Sequence, residues 1–250
     1  MTVFRVLVLL AAGAGGGIAA SVASVASVVS YPALLALGLP PLAANVTNTM
    51  ALIFNVPGAM LGSRPELDGQ RPRVLRMSAV TAVGGALGAA VLLLAPAAAF
   101  ARVVPVLIGA ASVTLILQPR LRALSPAPGA ERSKSRLAAM FAAAVYIGYF
   151  GAAGGVLLLA ILAATISESL IRINAIKNVV GGAANLVAAG LFTLYAPVDW
   201  AFVPPLAIGF LAGGFTGQNL VRHLPVAALR VVVALAGLGL AVRLGVAAYR

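Results

Sequence analysis

Residues 176–185 read IKNVVGGAAN, and they set one lysine and two asparagines into an otherwise apolar stretch. Lys177 is the most deeply placed ionisable residue of the chain, about six residues, or ~9 Å, into a segment that starts near Leu170. An ammonium at that depth is costly unless it is solvated or paired. It could supply the counter-charge for an anionic substrate, or its long stem could carry it to the interface beside Arg172. Asn178 and Asn185 are seven residues apart, two helical turns, so they share a face with Gly181 and Gly182 between them. The stretch NVTNTMALIFN repeats that spacing with Asn48 and Asn55, and Thr47 stands where the other copy has Lys177. Matched amides on two helices could line one cavity with donors and acceptors, or tie helix to helix.

Two glycine clusters, AGAGGG at 12–17 and GAAGG at 151–155, complete the candidate chemistry. A helix that breaks inside a membrane is followed by a half-helix with free N–H groups and a positive dipole end, which suits an oxyanion. Gly15, Gly16, Gly17, Gly154 and Gly155 would let backbone approach such a ligand, although small residues equally allow ordinary close packing. Ser21, Ser24, Ser27 and Ser30 recur every third residue; Ser21 and Ser24 could donate to an anion, or bond back to the preceding turn.

Other chemistry is poorly supplied. The five carboxylates, Glu66, Asp68, Glu131, Glu168 and Asp199, all fall in loops or at segment ends, leaving none at mid-membrane to hold a metal cation or relay protons. No metal site and no cofactor is expected. Cysteine is absent, which excludes disulfides and thiolate metal sites. The single histidine, His223, stands beside Arg222 at a segment end, and Tyr195, Asp199 and Trp200 resemble an interfacial belt. No HExxH, GxSxG or Walker signature is present, so an enzyme is not expected.

The elements that must position these residues are set by composition. With 62% hydrophobic and 9% charged residues, the chain cannot cover a water-facing surface, and it reads as an all-α polytopic integral membrane protein. The net charge of +12 is gathered mostly in two clusters, Arg64, Arg71, Arg73 and Arg76, then Arg120, Arg122, Arg132, Lys134 and Arg136. Such clusters mark cytoplasmic loops, and nucleic acid is not an expected partner. Hydropathy gives eight segments, about 3–38, 42–62, 77–100, 102–118, 137–167, 171–195, 200–221 and 226–248.

These fall into two homologous halves of four segments, residues 1–118 and 137–250, joined by a solvated cytoplasmic linker at 119–136. Gly16-Gly17 aligns with Gly154-Gly155 at an offset of 138, Asn48 and Asn55 with Asn178 and Asn185 at 130, and Gly84-Gly85 with Gly213-Gly214 at 129. The repeat argues that the first segment is retained structure, although Arg5 and the apolar run after it imitate a secretory signal. Duplicated membrane halves are a mark of secondary transporters, with the substrate site where the halves meet. The first segment of each half would run roughly 54 and 46 Å as a straight helix, too long for one crossing, so each is expected to be broken or re-entrant at its glycine cluster. Single crossings make the halves parallel with 12 of the 17 lysines and arginines inside, and hairpins make them inverted with 13 inside, so charge does not choose between them.

The glycine-rich opening of each half, GLPPLAANVTNTMAL after the first, RINAIKNVVGGAANLVAAGLF in the second, and VDW followed by a GG-x-x-G segment resemble the sulfite exporter TauE/SafE family over essentially the whole chain. The resemblance implies a multi-pass permease of the bacterial cytoplasmic membrane that moves sulfite, sulfoacetate or a related anion outward. It carries the family's glycine and asparagine positions onto Gly15, Gly16, Gly17, Asn48, Gly154, Gly155, Lys177 and Asn178. The expected function is secondary transport of a small sulfur-containing anion by alternating access, with the anion and the lipid bilayer as partners and homo-oligomer formation left open. A non-transporting membrane assembly subunit and a channel for small neutral solutes are the alternatives.

Overall fold

A computed structural model describes residues 2–123, 134–151, 154–221 and 226–249. His223 and the centre of the linker lie outside them. Twelve helices follow in order: α1 (Val3–Ala23), α2 (Ala26–Ala36), α3 (Pro41–Leu52), α4 (Asn55–Gly62), α5 (Arg64–Leu67), α6 (Arg71–Leu94), α7 (Ala97–Ala123), α8 (Lys134–Tyr149), α9 (Gly154–Thr165), α10 (Leu170–Tyr195), α11 (Val203–Val221) and α12 (Val226–Tyr249). Among the described residues, α1, α6, α10 and the Ala97–Thr114 part of α7 are each long and apolar enough to cross a membrane.

Helix boundaries follow local chemistry. The 77–100 segment is cut at Ala95-Pro96, because proline cannot donate into the preceding turn, and α6 ends at Leu94. Its other end begins at Arg71, with Pro72 in the first turn, so a basic turn projects beyond the apolar span. The linker expected at 119–136 is helical at both described edges, since α7 runs to Ala123 and α8 starts at Lys134. The 42–62 segment is two helices, broken at Ile53-Phe54. Pro57 removes the N–H that would bond to the Ile53 carbonyl, and Val56 N–H donates there instead at 3.2 Å.

Contacts between helices fix their directions. Gly84 meets Phe141 and Ala144 and Gly88 meets Val145 and Tyr149, while Gly85 meets Ala184 and Thr81 donates to the Val180 carbonyl at 2.6 Å, so α6, α8 and α10 run parallel. Gly13 meets Leu206, Gly17 meets Gly213 and Gly214, and Gly58 meets Leu211, so α1, α4 and α11 run parallel as well. The inner ends of α4 and α11 meet where Gly62 packs on Gln218. At that same face Glu168 closes the α9–α10 turn with bonds to Arg73 at 3.3 Å and Arg172 at 3.1 Å, while Arg172 also donates to the carbonyls of Glu66 and Asp68. Both long first segments are therefore hairpins. The α8–α9 hairpin enters and leaves by this arginine-rich face, and the α1–α2 hairpin by the opposite one.

The two hairpins break differently. The second turns at Gly151, φ +75°, inside its glycine cluster as expected. The first does not turn at 12–17: α1 runs through that cluster, and the turn falls at Ser24, φ 64°, the one non-glycine residue in the left-handed region among those described. The cluster is spent on packing. A Cβ on Gly17 would stand 2.7 Å from the Gly214 nitrogen, and one on Gly85 2.5 Å from the Ala184 carbonyl, so helices approach backbone to backbone.

Two outcomes follow from this packing. Gly17→Leu should abolish folded protein or cost more than about 2 kcal/mol, read by thermal unfolding in detergent. Bonds from Arg172 first, then Gln70 and Arg73, hold the Glu168 carboxyl below its ordinary value against the opposing effect of burial. A depressed value means stability that is full at neutral pH and lost as pH falls below about 4. Glu168→Gln should thus lower the melting temperature at pH 7, and the gap to wild type should close in acid.

Candidate functional site

The tips of the two hairpins meet. A Cβ on Gly155, in the first turn of α9, would lie 2.8 Å from the Ser24 carbonyl at the α1–α2 turn. Helix α10 and the α3–α4 break flank this junction and enclose a cavity of ≈ 70 Å³. Lys177, Asn178, Asn185, Asn55 and Gly155 of the sequence-derived set line it, together with Ser24, Ala26 and Gly151.

Lys177 does not reach for the interface. It is 4% exposed, and its Nζ donates to the Ala20 carbonyl at 3.1 Å and the Ser24 Oγ at 2.9 Å. The Ala20 carbonyl belongs to the last turn of α1, where the helix dipole places roughly half a negative charge. The side chain is held there with its Nζ beside the cavity. Asn174, one turn earlier on α10, donates to the Ser21 carbonyl at 2.9 Å.

The break of α1 also exposes the start of α2. Its N-cap is Val25, which makes no side-chain cap bond, and Ala26 lines the cavity, so the start of α2 borders it. Three side-chain atoms on the cavity wall have no hydrogen-bond partner: Asn178 Nδ2, Asn55 Oδ1 and Asn185 Oδ1. Orphaned polar atoms are rare in an interior because each costs on the order of 1–3 kcal/mol. A lysine amine, an amide nitrogen and a helix start are donor groups of the kind that recognise anions.

The remaining sequence-derived residues stand elsewhere. Gly15, Gly16 and Gly17 pack in the middle of α1, and Gly154 packs on Ile147. Thr47 accepts the Asp199 backbone N–H at 2.9 Å near the opposite face. Asn48 donates to Ser27 Oγ at 3.1 Å and accepts from Ser30 at 2.6 Å, so its amide is satisfied away from the cavity. Of the serine series only Ser24 lines the cavity, and Ser21 donates to the Gly214 carbonyl.

The register of the two halves changes too. Asn45 donates to the Tyr149 carbonyl at 3.1 Å, as Asn174 does to Ser21, and these partners differ by 129 and 128 in number. That offset matches Lys177 with Asn48, one residue from the sequence alignment with Thr47, and it differs from the 138 that sets Gly16-Gly17 against Gly154-Gly155. Asn174 and Asn45 carried a readable signal, an asparagine three residues ahead of Lys177 and of Asn48.

Among the described residues no group of three His, Cys, Asp or Glu side chains could hold a metal ion. The family model for sulfite exporter TauE/SafE matches residues 8–244. The chain belongs to that family. Its architecture of long apolar helices and its membership make it a multi-pass membrane permease. No curated protein and no solved structure matches it.

Ser24 offers a separation of fold from chemistry. Ser24→Gly suits a left-handed turn better, by about 1 kcal/mol, yet removes one acceptor of Lys177. The variant should be at least as thermostable as wild type by thermal unfolding in detergent, although Lys177 has lost that acceptor.

Proposed function

We propose that the protein is a secondary transporter that carries a small sulfur oxyanion, such as sulfite, outward across the bacterial cytoplasmic membrane. The observation that carries this reading is the convergence of the buried Lys177 ammonium, the partnerless Asn178 amide nitrogen and the uncapped start of α2 on one small cavity. Family membership supports a sulfur anion as the cargo. The small size of the cavity, ≈ 70 Å³, supports a compact ion over a bulky organosulfonate.

The two halves act as inverted repeats in this account. Their hairpins open to opposite faces and meet tip to tip at the cavity, the arrangement from which access can alternate as the hairpins and their partner helices rock. The arginine-rich face is the cytoplasmic one by the positive-inside rule. Asn178 donates a hydrogen bond through its free amide nitrogen, Asn55 and Asn185 border the ion from α4 and α10, Gly155 admits backbone close to it, and Lys177 supplies charge.

Reconstituted into proteoliposomes, wild type should show saturable sulfite flux, and Lys177→Ala should reduce it at least 100-fold while the variant stays monodisperse and folded. Wild-type rates in that variant would exclude the lysine from the site. A melting-temperature screen of the purified protein should favour sulfite over sulfate, thiosulfate, sulfonates and carboxylates.

A further inference from the structure

A helix that ends inside the membrane leaves its last carbonyls without intrahelical partners and without water to replace them. Both α1 and α8 end this way, and each is completed from a distance. The Ser21 carbonyl takes the Asn174 amide at 2.9 Å, 153 residues away, and the Tyr149 carbonyl takes the Asn45 amide at 3.1 Å, 104 residues away. Asn174 and Asn45 are buried, 6% and 2% exposed. In each case the tip belongs to one half of the chain and the asparagine to the other.

We propose that Asn174 is a positioning residue for the anion site: by holding the C-terminal carbonyl of α1 it sets the reach between Lys177 and its partners, and Asn45 holds the α8 tip in the same way. Asn174 and Lys177 are one turn apart on α10, and the carbonyls they bind, Ser21 and Ala20, are adjacent on α1. The two bonds thus form a single clamp. Without the amide, the Ser21 carbonyl is left unpaired, and the tip gains freedom to draw Ala20 and Ser24 away from the ammonium. The effect falls on the shape of the site, because Asn174 is not among the residues that line the cavity.

This inference rests on the cavity being the anion site, so the test reads both. Sulfite uptake is measured in proteoliposomes for wild type, Lys177→Ala, Asn174→Ala and Asn174→Asp, with the amount of folded protein normalised by size-exclusion fluorescence. Asn174→Ala should raise KM about 10-fold with Vmax within 2-fold of wild type. Asn174→Asp should be worse, because a carboxylate repels the Ser21 carbonyl and competes for the ammonium one turn away. If Asn174→Ala does not fold, Asn174→Gln, which keeps the amide one methylene longer, should raise KM about 3-fold. A KM unchanged in the folded variants, or an aspartate tolerated like asparagine, overturns the positioning role. Wild-type uptake by Lys177→Ala overturns the site itself, a separate outcome.

Discussion

The constraint on which this structure depends is that a helix cannot end in a hydrocarbon interior without someone else completing its hydrogen bonds. Helix α1 stops at Ala23, and its exposed carbonyls are taken by two side chains of α10, Lys177 and Asn174. The same ending that needs those donors is followed by an unfinished beginning at Ala26, the start of α2. One break therefore supplies both a seat for the lysine and a helix start beside the cavity. The lysine, held by a carbonyl and a hydroxyl, lies on the wall of a cavity that also holds an unpartnered amide nitrogen.

Close packing is what keeps two such breaks in place. The α1 tip is pressed on α11, and the body of α8 on α6, through glycines that bring backbone to backbone. Each hairpin thereby leans on a helix of the other half. The packed groups are mixed in sequence, α1 with α4 and α11, and α8 with α6 and α10. At the arginine-rich face Glu168 joins the α9–α10 turn to Arg73 on α6, which ties the second of these bodies together where it meets water.

The sequence carried much of this in its residue types. Lys177 stood out by depth, and Asn55, Asn178 and Asn185 by a spacing of two turns, and all four reach one cavity. The excess length of the first segments called for breaks or hairpins, and both are hairpins. What misled was glycine, whose two uses look alike in one dimension. At 151–155 it turns the chain, while at 12–17 it only thins a helix for packing, and the turn falls on Ser24, a residue type that does not announce a left-handed conformation. Asn48 was paired with Asn178 instead of Lys177 because a one-residue shift between the copies, near the α3–α4 break, is invisible without the Asn45 and Asn174 bonds to fix the register.

The central claim is that the ammonium seated on the end of α1 is what binds the transported anion. Equilibrium binding of labelled sulfite to the purified protein, wild type against Lys177→Met, tests it most directly, since methionine keeps the volume of the stem and removes the charge. The account predicts saturable binding of one ion per chain in wild type and none in the variant at the same concentration. Equal affinity in the two proteins would contradict it.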